Sequence, residues 1–113
     1  MIGTRTLGHA SLKLAVPTAL PDDIRGQVVE LRSLHTRKDK RGQGYANALL
    51  RKVCMEADRE RRFLLLHVKP VDGLDAEFLR VLYARNDFVP IQAEPMVMMR
   101  PFWGAYGQQT YPV

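Results

Sequence analysis

The stretch from Gln27 to Val68 leaves this chain few folds to choose from. Gln27 to Thr36 reads as a strand: Val29 and Leu31 alternate with polar neighbours, and Leu34 adds a further apolar position. Arg37 to Gly44 is a charged, glycine-bearing loop. The helix that follows should run from Gly44 to Arg61, because Ala46, Leu49, Leu50, Val53, Cys54 and Ala57 recur at three- and four-residue steps. Arg51, Lys52, Asp58 and Arg59 fall on its other face. Phe63 to Val68 is nearly all apolar, which predicts a strand buried on both faces and paired in parallel. Strand, loop, helix, strand makes a βαβ unit with a right-handed crossover.

The flanks read more weakly. Ser11 to Val16 alternates as a half-buried strand would, and Pro17 and Pro21 stop it. Leu20 to Gly26 could hold a turn or a single helical turn. Pro70 to Gly73 reads as a turn and Asp75 to Arg85 as a second helix, with Ala76, Leu79, Leu82 and Tyr83 on one face. Phe88 to Ile91 and Met96 to Arg100 read as two short strands, joined by a turn through Gln92 to Pro95. From Pro101 the tail is rich in Gly, Pro and aromatics, without a period; Phe102, Trp103, Tyr106 and Tyr111 are suited to covering an apolar patch or to self-association.

At 113 residues the chain holds one domain. Its net charge of +5 suits an anionic partner, and much of that charge is local: Arg37, Lys38, Lys40 and Arg41 crowd the loop before the long helix. The lone cysteine, Cys54, allows no internal disulfide and lies on the helix's apolar stripe, as a small core residue. His67 reads as a core histidine inside its apolar strand. The three histidines have no close spacing, so no metal site is expected. Without a leader-like or membrane-length apolar run, the chain is expected to be cytoplasmic, with no membrane partner. No stacking motif or helix-turn-helix signal accompanies the basic loop, so nucleic acid is not the expected partner.

The chemistry points to the loop. Gly42 and Gly44 let the backbone turn tightly, and the helix beyond leaves its first amides without helical partners. Its dipole favours a negative group there, so the place suits a pyrophosphate, with Lys40 and Arg41 alongside. Two familiar phosphate loops fit poorly: Tyr45 and Ala46 follow Gly44 in place of Lys-Ser/Thr, and Asn47 stands where a dinucleotide fingerprint needs a small residue.

Arg41-Gly42-Gln43-Gly44-Tyr45-Ala46 resembles the Gln/Arg-x-x-Gly-x-Gly/Ala signature of the GNAT superfamily of N-acetyltransferases. Leu82-Tyr83-Ala84-Arg85-Asn86-Asp87-Phe88 is similar to the family's Leu-Tyr-x-Lys-x-Gly-Phe segment. The resemblance covers roughly residues 28–100, the cofactor-binding core; residues 1–27 form an abbreviated N-terminal part and 101–113 a tail. It implies an α/β (α+β) fold: a mixed, largely antiparallel sheet, helices on both faces and a central βαβ cofactor unit. It implies acetyl-CoA as co-substrate, no metal, and acetyl transfer to a primary amine by direct attack.

The resemblance also implies residue roles. Backbone amides from Arg41 through Gly42, Gln43, Gly44, Tyr45 and Ala46 would bind the pyrophosphate. Leu34, His35 and Thr36 would pair with the pantetheine arm like an added strand, and the amide near Leu34 would polarise the thioester carbonyl. Glu30 sits where some members place a general base, and Tyr83 matches the tyrosine that protonates the departing thiolate. The sequence departs from the family at Asp87, where a glycine is usual, at Ala76, where many members carry an asparagine, and at Thr36, where valine is common. The short N-terminal part leaves the acceptor side open or completed by a second subunit, so a homodimer is expected. The alternative function is a catalytically inactive cofactor-binding or scaffold module of the same fold.

Overall fold

The computed structural model describes residues 1–70 and 74–104. The turn expected at Pro70 to Gly73 lies largely outside the described residues, as does the tail beyond Gly104 with Tyr106 and Tyr111. The elements are β1 (Gly3–Leu7), β2 (Ala10–Ala15), α1 (Asp22–Arg25), β3 (Val28–Thr36), α2 (Tyr45–Glu60), β4 (Phe63–His67), α3 (Ala76–Ala84), β5 (Val89–Gln92) and β6 (Val97–Arg100). Six strands form one sheet in the order β1-β2-β3-β4-β6-β5. Only β3 and β4 run parallel; every other neighbouring pair is antiparallel. This is the mixed, largely antiparallel sheet with helices that the sequence implies.

The chain opens with a hairpin, β1 to β2, turning at Gly8 (φ 58°) and His9. β1 escapes sequence reading because its inward positions are Gly3, Arg5 and Leu7, which disguise a period of two. Arg5 earns its inward place by donating to both carboxylate oxygens of Glu56 on α2, at 3.0 and 2.7 Å. After β2, Pro21 starts the single turn of α1, whose Ile24 and Arg25 amides donate to its carbonyl.

The helix α2 is built as its stripe predicts. Leu49, Leu50, Val53, Cys54 and Ala57 are buried. They meet Ala10, Leu12 and Leu14 of β2, Val29 and Leu31 of β3, Leu64 and Leu66 of β4 and Met98 of β6 in one core. Each large aliphatic side chain so buried contributes about 1.5–3 kcal/mol. The helix ends at Arg61, which adopts a left-handed conformation while the Arg62 amide donates back to Ala57 O at 2.9 Å. A buried ion pair fastens its last turn: Arg100 of β6 donates to both oxygens of Asp58, at 2.8 and 3.1 Å.

One sequence expectation changes. β4 pairs in parallel with β3, as expected, yet it is not buried on both faces: Leu64 and Leu66 are buried, Phe63 and Leu65 are half-buried, and His67 is exposed. Its apolar run serves one core only. Leu65 and His67 share the opposite face with Glu30 and Arg32, and a cavity opens there beyond the strand ends.

Candidate active site

The site begins where β3 and β4 part. They pair at Val28–Phe63, Val29–Leu64 and Glu30–Leu65, and no further. Beyond Glu30, β3 keeps its partner β2 but, among the described residues, has no strand on its other side. A bulge sits in the same place. Arg32 faces Lys13 and His35 faces Ser11, so three steps on β3 oppose two on β2. Ser33 takes up the difference with a left-handed φ of 57°. The half-buried Leu34 lies in the bulge, outside the β2 register.

α3 crosses the gap. Asp75 caps it, its side chain accepting from the Phe78 amide at 2.8 Å. The far end of α3 is tied to the start of α2: the Asn86 side-chain amide donates to Asn47 Oδ1 at 3.0 Å and to Leu82 O at 3.1 Å. Asp87, in place of the family's glycine, adopts φ 71°, so the turn survives the exchange. Tyr83 is buried, its ring 5.7 Å from that of Phe88. Burial pushes its phenol up to about 12, so it stays protonated at neutral pH.

The glycine turn has the geometry the motif requires. Gly42 and Gly44 have φ of 80° and 85°, and a Cβ at either would meet nothing within 4 Å, so open space lies before both. α2 starts at Tyr45 with no side-chain cap and no acid in its first turn. Among the described residues, the amides of Gly42 to Gly44 make no close backbone hydrogen bond, and those of Tyr45 and Ala46 open the helix, ahead of its first bond from the Ala48 amide to Gly44 O. The turn is held from behind. Arg41 Nε donates to Thr36 O at 3.4 Å, the Arg37 amide donates to His9 O at 3.3 Å, and the His9 ring meets Tyr45 edge-on at 5.0 Å.

Two cavities meet at Ser33, Leu34 and Leu79. The first, about 430 Å³, is bounded by the end of β3, the glycine turn and α3. Leu34, His35, Thr36, Arg41, Gly42, Gly44, Tyr45 and Ala46 all line it, together with Lys40. Of the cofactor residues named from the sequence, only Gln43, exposed at the tip, does not. The second cavity, about 510 Å³, holds both candidate catalytic residues, Glu30 and Tyr83, with Arg32, His67 and Lys69. The Glu30 carboxylate accepts from Arg32 Nη2 at 2.9 Å.

Sequence reading missed several lining residues. Leu82 reads simply as an apolar position of the second helix, yet it lines the first cavity together with Leu74 and Phe78. His67, read as core, is exposed at the open end of β4. The position of His67 at the end of β4 and of Lys69 two residues beyond it, on the strand that closes the parallel crossover, is the signal that could have found them. Cys54 is the core residue expected: burial raises its thiol to about 11, and its Sγ lies 3.9 Å from Asn86 O. Among the described residues, no three His, Cys, Asp or Glu side chains group as a metal site would, and no helix is long and apolar enough to cross a membrane.

No family model matches the sequence, and neither does any curated protein. Solved structures do match. The anti-CRISPR protein AcrVA5 is 17% identical with a TM-score of 0.63, over 87% of this chain and 98% of that one. A GNAT-family acetyltransferase from Staphylococcus aureus Mu50 is 16% identical with a TM-score of 0.58, over 82% of this chain and 59% of that one. A protein described as an acyl-CoA N-acyltransferase, from Klebsiella pneumoniae, is 19% identical with a TM-score of 0.58, over 84% of this chain and 64% of that one. The chain thus spans about three-fifths of the length of these two transferases.

Proposed function

From the premise that the chain has the GNAT acetyltransferase fold, we propose that it transfers the acetyl group of acetyl-CoA to a primary amine. The observation that carries this reading is the outward-facing Gly42–Ala46 turn at the head of α2, opening into a cavity that meets a second one holding Glu30 and Tyr83. The donor set fits the ligand. Amides of the turn, a helix dipole, Lys40 and Arg41 suit a pyrophosphate, and the unpaired side of β3 from Leu34 to Thr36 suits an amide-bearing arm.

The roles follow from position. The amine must be neutral to attack, and Glu30, directly or through water, takes its proton. The backbone at Leu34, displaced by the bulge from the β2 register, offers an amide to the thioester oxygen as charge develops there. Tyr83 keeps its proton at neutral pH and gives it to the departing sulfur. No covalent intermediate on the protein is needed, and the buried Cys54 takes no part.

A second reading, a cofactor-binding module without turnover, is favoured by one observation. The carboxylate of Glu30 is already engaged by Arg32, so one of its oxygens is occupied before any amine arrives. Thermal-shift titration with acetyl-CoA, followed by transfer to a panel of amines, separates the two. The enzyme reading expects a raised Tm and turnover that falls at least tenfold in Glu30→Gln and in Tyr83→Phe. A raised Tm with no turnover on any amine favours the module, and no shift at all refutes both.

A further inference from the structure

The second cavity has a charge character that goes beyond the transfer reaction. Its polar walls are Glu30, Arg32, Ser33, His67, Lys69 and Tyr83. Glu30 and Arg32 pair with one another at 2.9 Å, and their charges cancel. Among the described residues, Glu30 is the only acid on the wall. Lys69 is exposed and, among the described residues, meets no carboxylate within ion-pair distance. Arg32 is also largely accessible, with 45% of its side chain exposed against 14% for Glu30. The cavity therefore presents an uncompensated cation at the end of β4, and a second that can turn outward from β3. Such walls favour a negative partner and disfavour a positive one.

Resting on the transferase reading, we propose that the acceptor is an amine flanked by acidic groups, such as a lysine between acidic residues, and that Lys69 and Arg32 receive those groups. The acceptor's carboxylate then also competes with Glu30 for Arg32, releasing the Glu30 carboxylate to take the ammonium proton. A bare or basic amine brings no such group and meets repulsion from Lys69. This assigns specificity to residues outside the cofactor cavity, since neither Arg32 nor Lys69 lines it.

The test uses three peptides with a central lysine, flanked by glutamates, alanines or arginines. Their binding to the coenzyme A-loaded protein is measured by calorimetry, and acetylation with acetyl-CoA is followed in parallel. The acidic peptide should bind about fivefold or more tightly than the neutral one, as one or two accessible ion pairs allow. The arginine peptide should bind weakest, and the spread should shrink as salt is raised. Lys69→Glu should reverse the order, while the Tm rise with coenzyme A stays as in the unaltered protein, showing a folded cofactor site. Equal binding of all three peptides, or an order that Lys69→Glu leaves unmoved, overturns the inference. Selective binding without acetylation of any peptide upholds the acidic preference and overturns the transferase reading alone.

Discussion

Asp58→Ala is the substitution whose cost the structure sets most directly. Arg100 is 6% exposed and makes three hydrogen bonds: two to Asp58, at 2.8 and 3.1 Å, and one from Nε to Asn86 O at 3.0 Å. Asp58 also accepts from the Trp103 amide at 2.8 Å. One carboxylate thus ties the last turn of α2 to β6, to the chain leaving β6 and, through Arg100, to the corner after α3. Burial, the largest single influence, would lower the guanidinium's pKa; the Asp58 hydrogen bonds together with the negative charges of Asp58 and Asp87 outweigh it and hold it above its ordinary value. Removing the carboxylate leaves the buried cation no hydrogen-bonded anion, only the largely exposed Asp87 at 4.0 Å, which costs about 3–5 kcal/mol. A domain of this size has a total stability of roughly 5–15 kcal/mol, so the loss is a large share of it. At roughly 4 °C per kcal/mol, Tm should fall by about 12–20 °C. Urea and thermal unfolding followed by circular dichroism measure both quantities. The double variant Asp58→Ala with Arg100→Met should recover part of the loss, because no charge is then stranded. A loss below about 1 kcal/mol, or strictly additive effects in the cycle, would refute the reasoning.

Two further expectations concern the hairpin and the core thiol. A Cβ at Gly8 would lie 2.7 Å from the Tyr45 ring, at a left-handed φ; Gly8→Ala should therefore push Tyr45 from the head of α2 and weaken coenzyme A binding at least several-fold by calorimetry, and unchanged affinity would count against the hairpin's part in holding the turn. Burial raises the Cys54 thiol from 9.0 to about 11, so the folded state favours the protonated form; the stability it contributes is full below pH 9 and is lost as pH rises towards 11, which urea midpoints across that range will register, while alkylation of the native protein at pH 8 should be far slower than of the unfolded chain.

The central unit was readable because its signals agree. The α2 stripe, the glycine pair before it and the apolar run after it all demand the same crossover, and α2 departs from its expected ends by one residue at each. The cavity lining was legible for the same reason: residues at a strand end and a helix start are fixed by backbone geometry. What escaped depended on partners far along the chain. β1 hides because Arg5 is satisfied by Glu56, fifty-one positions away. The exposure of His67 depends on where β3 leaves β4, which no local pattern announces. The charge on the second cavity was invisible too, since Arg32 and Lys69 come together only once the crossover is made.

The one-residue surplus at Ser33 has a consequence for how much this strand can tolerate. In an unbroken strand, odd and even positions keep to their own sides from end to end. Here the bookkeeping of sides changes midway: Val29 and Leu31 are buried before the surplus, whereas the even-numbered Thr36 is buried after it. Removing Ser33 would restore uniform alternation with Thr36 still opposite Ala10 and still facing the interior. A deletion at this point should therefore spare the fold and fall on the two cavities, because Leu34 would be drawn back into the β2 register.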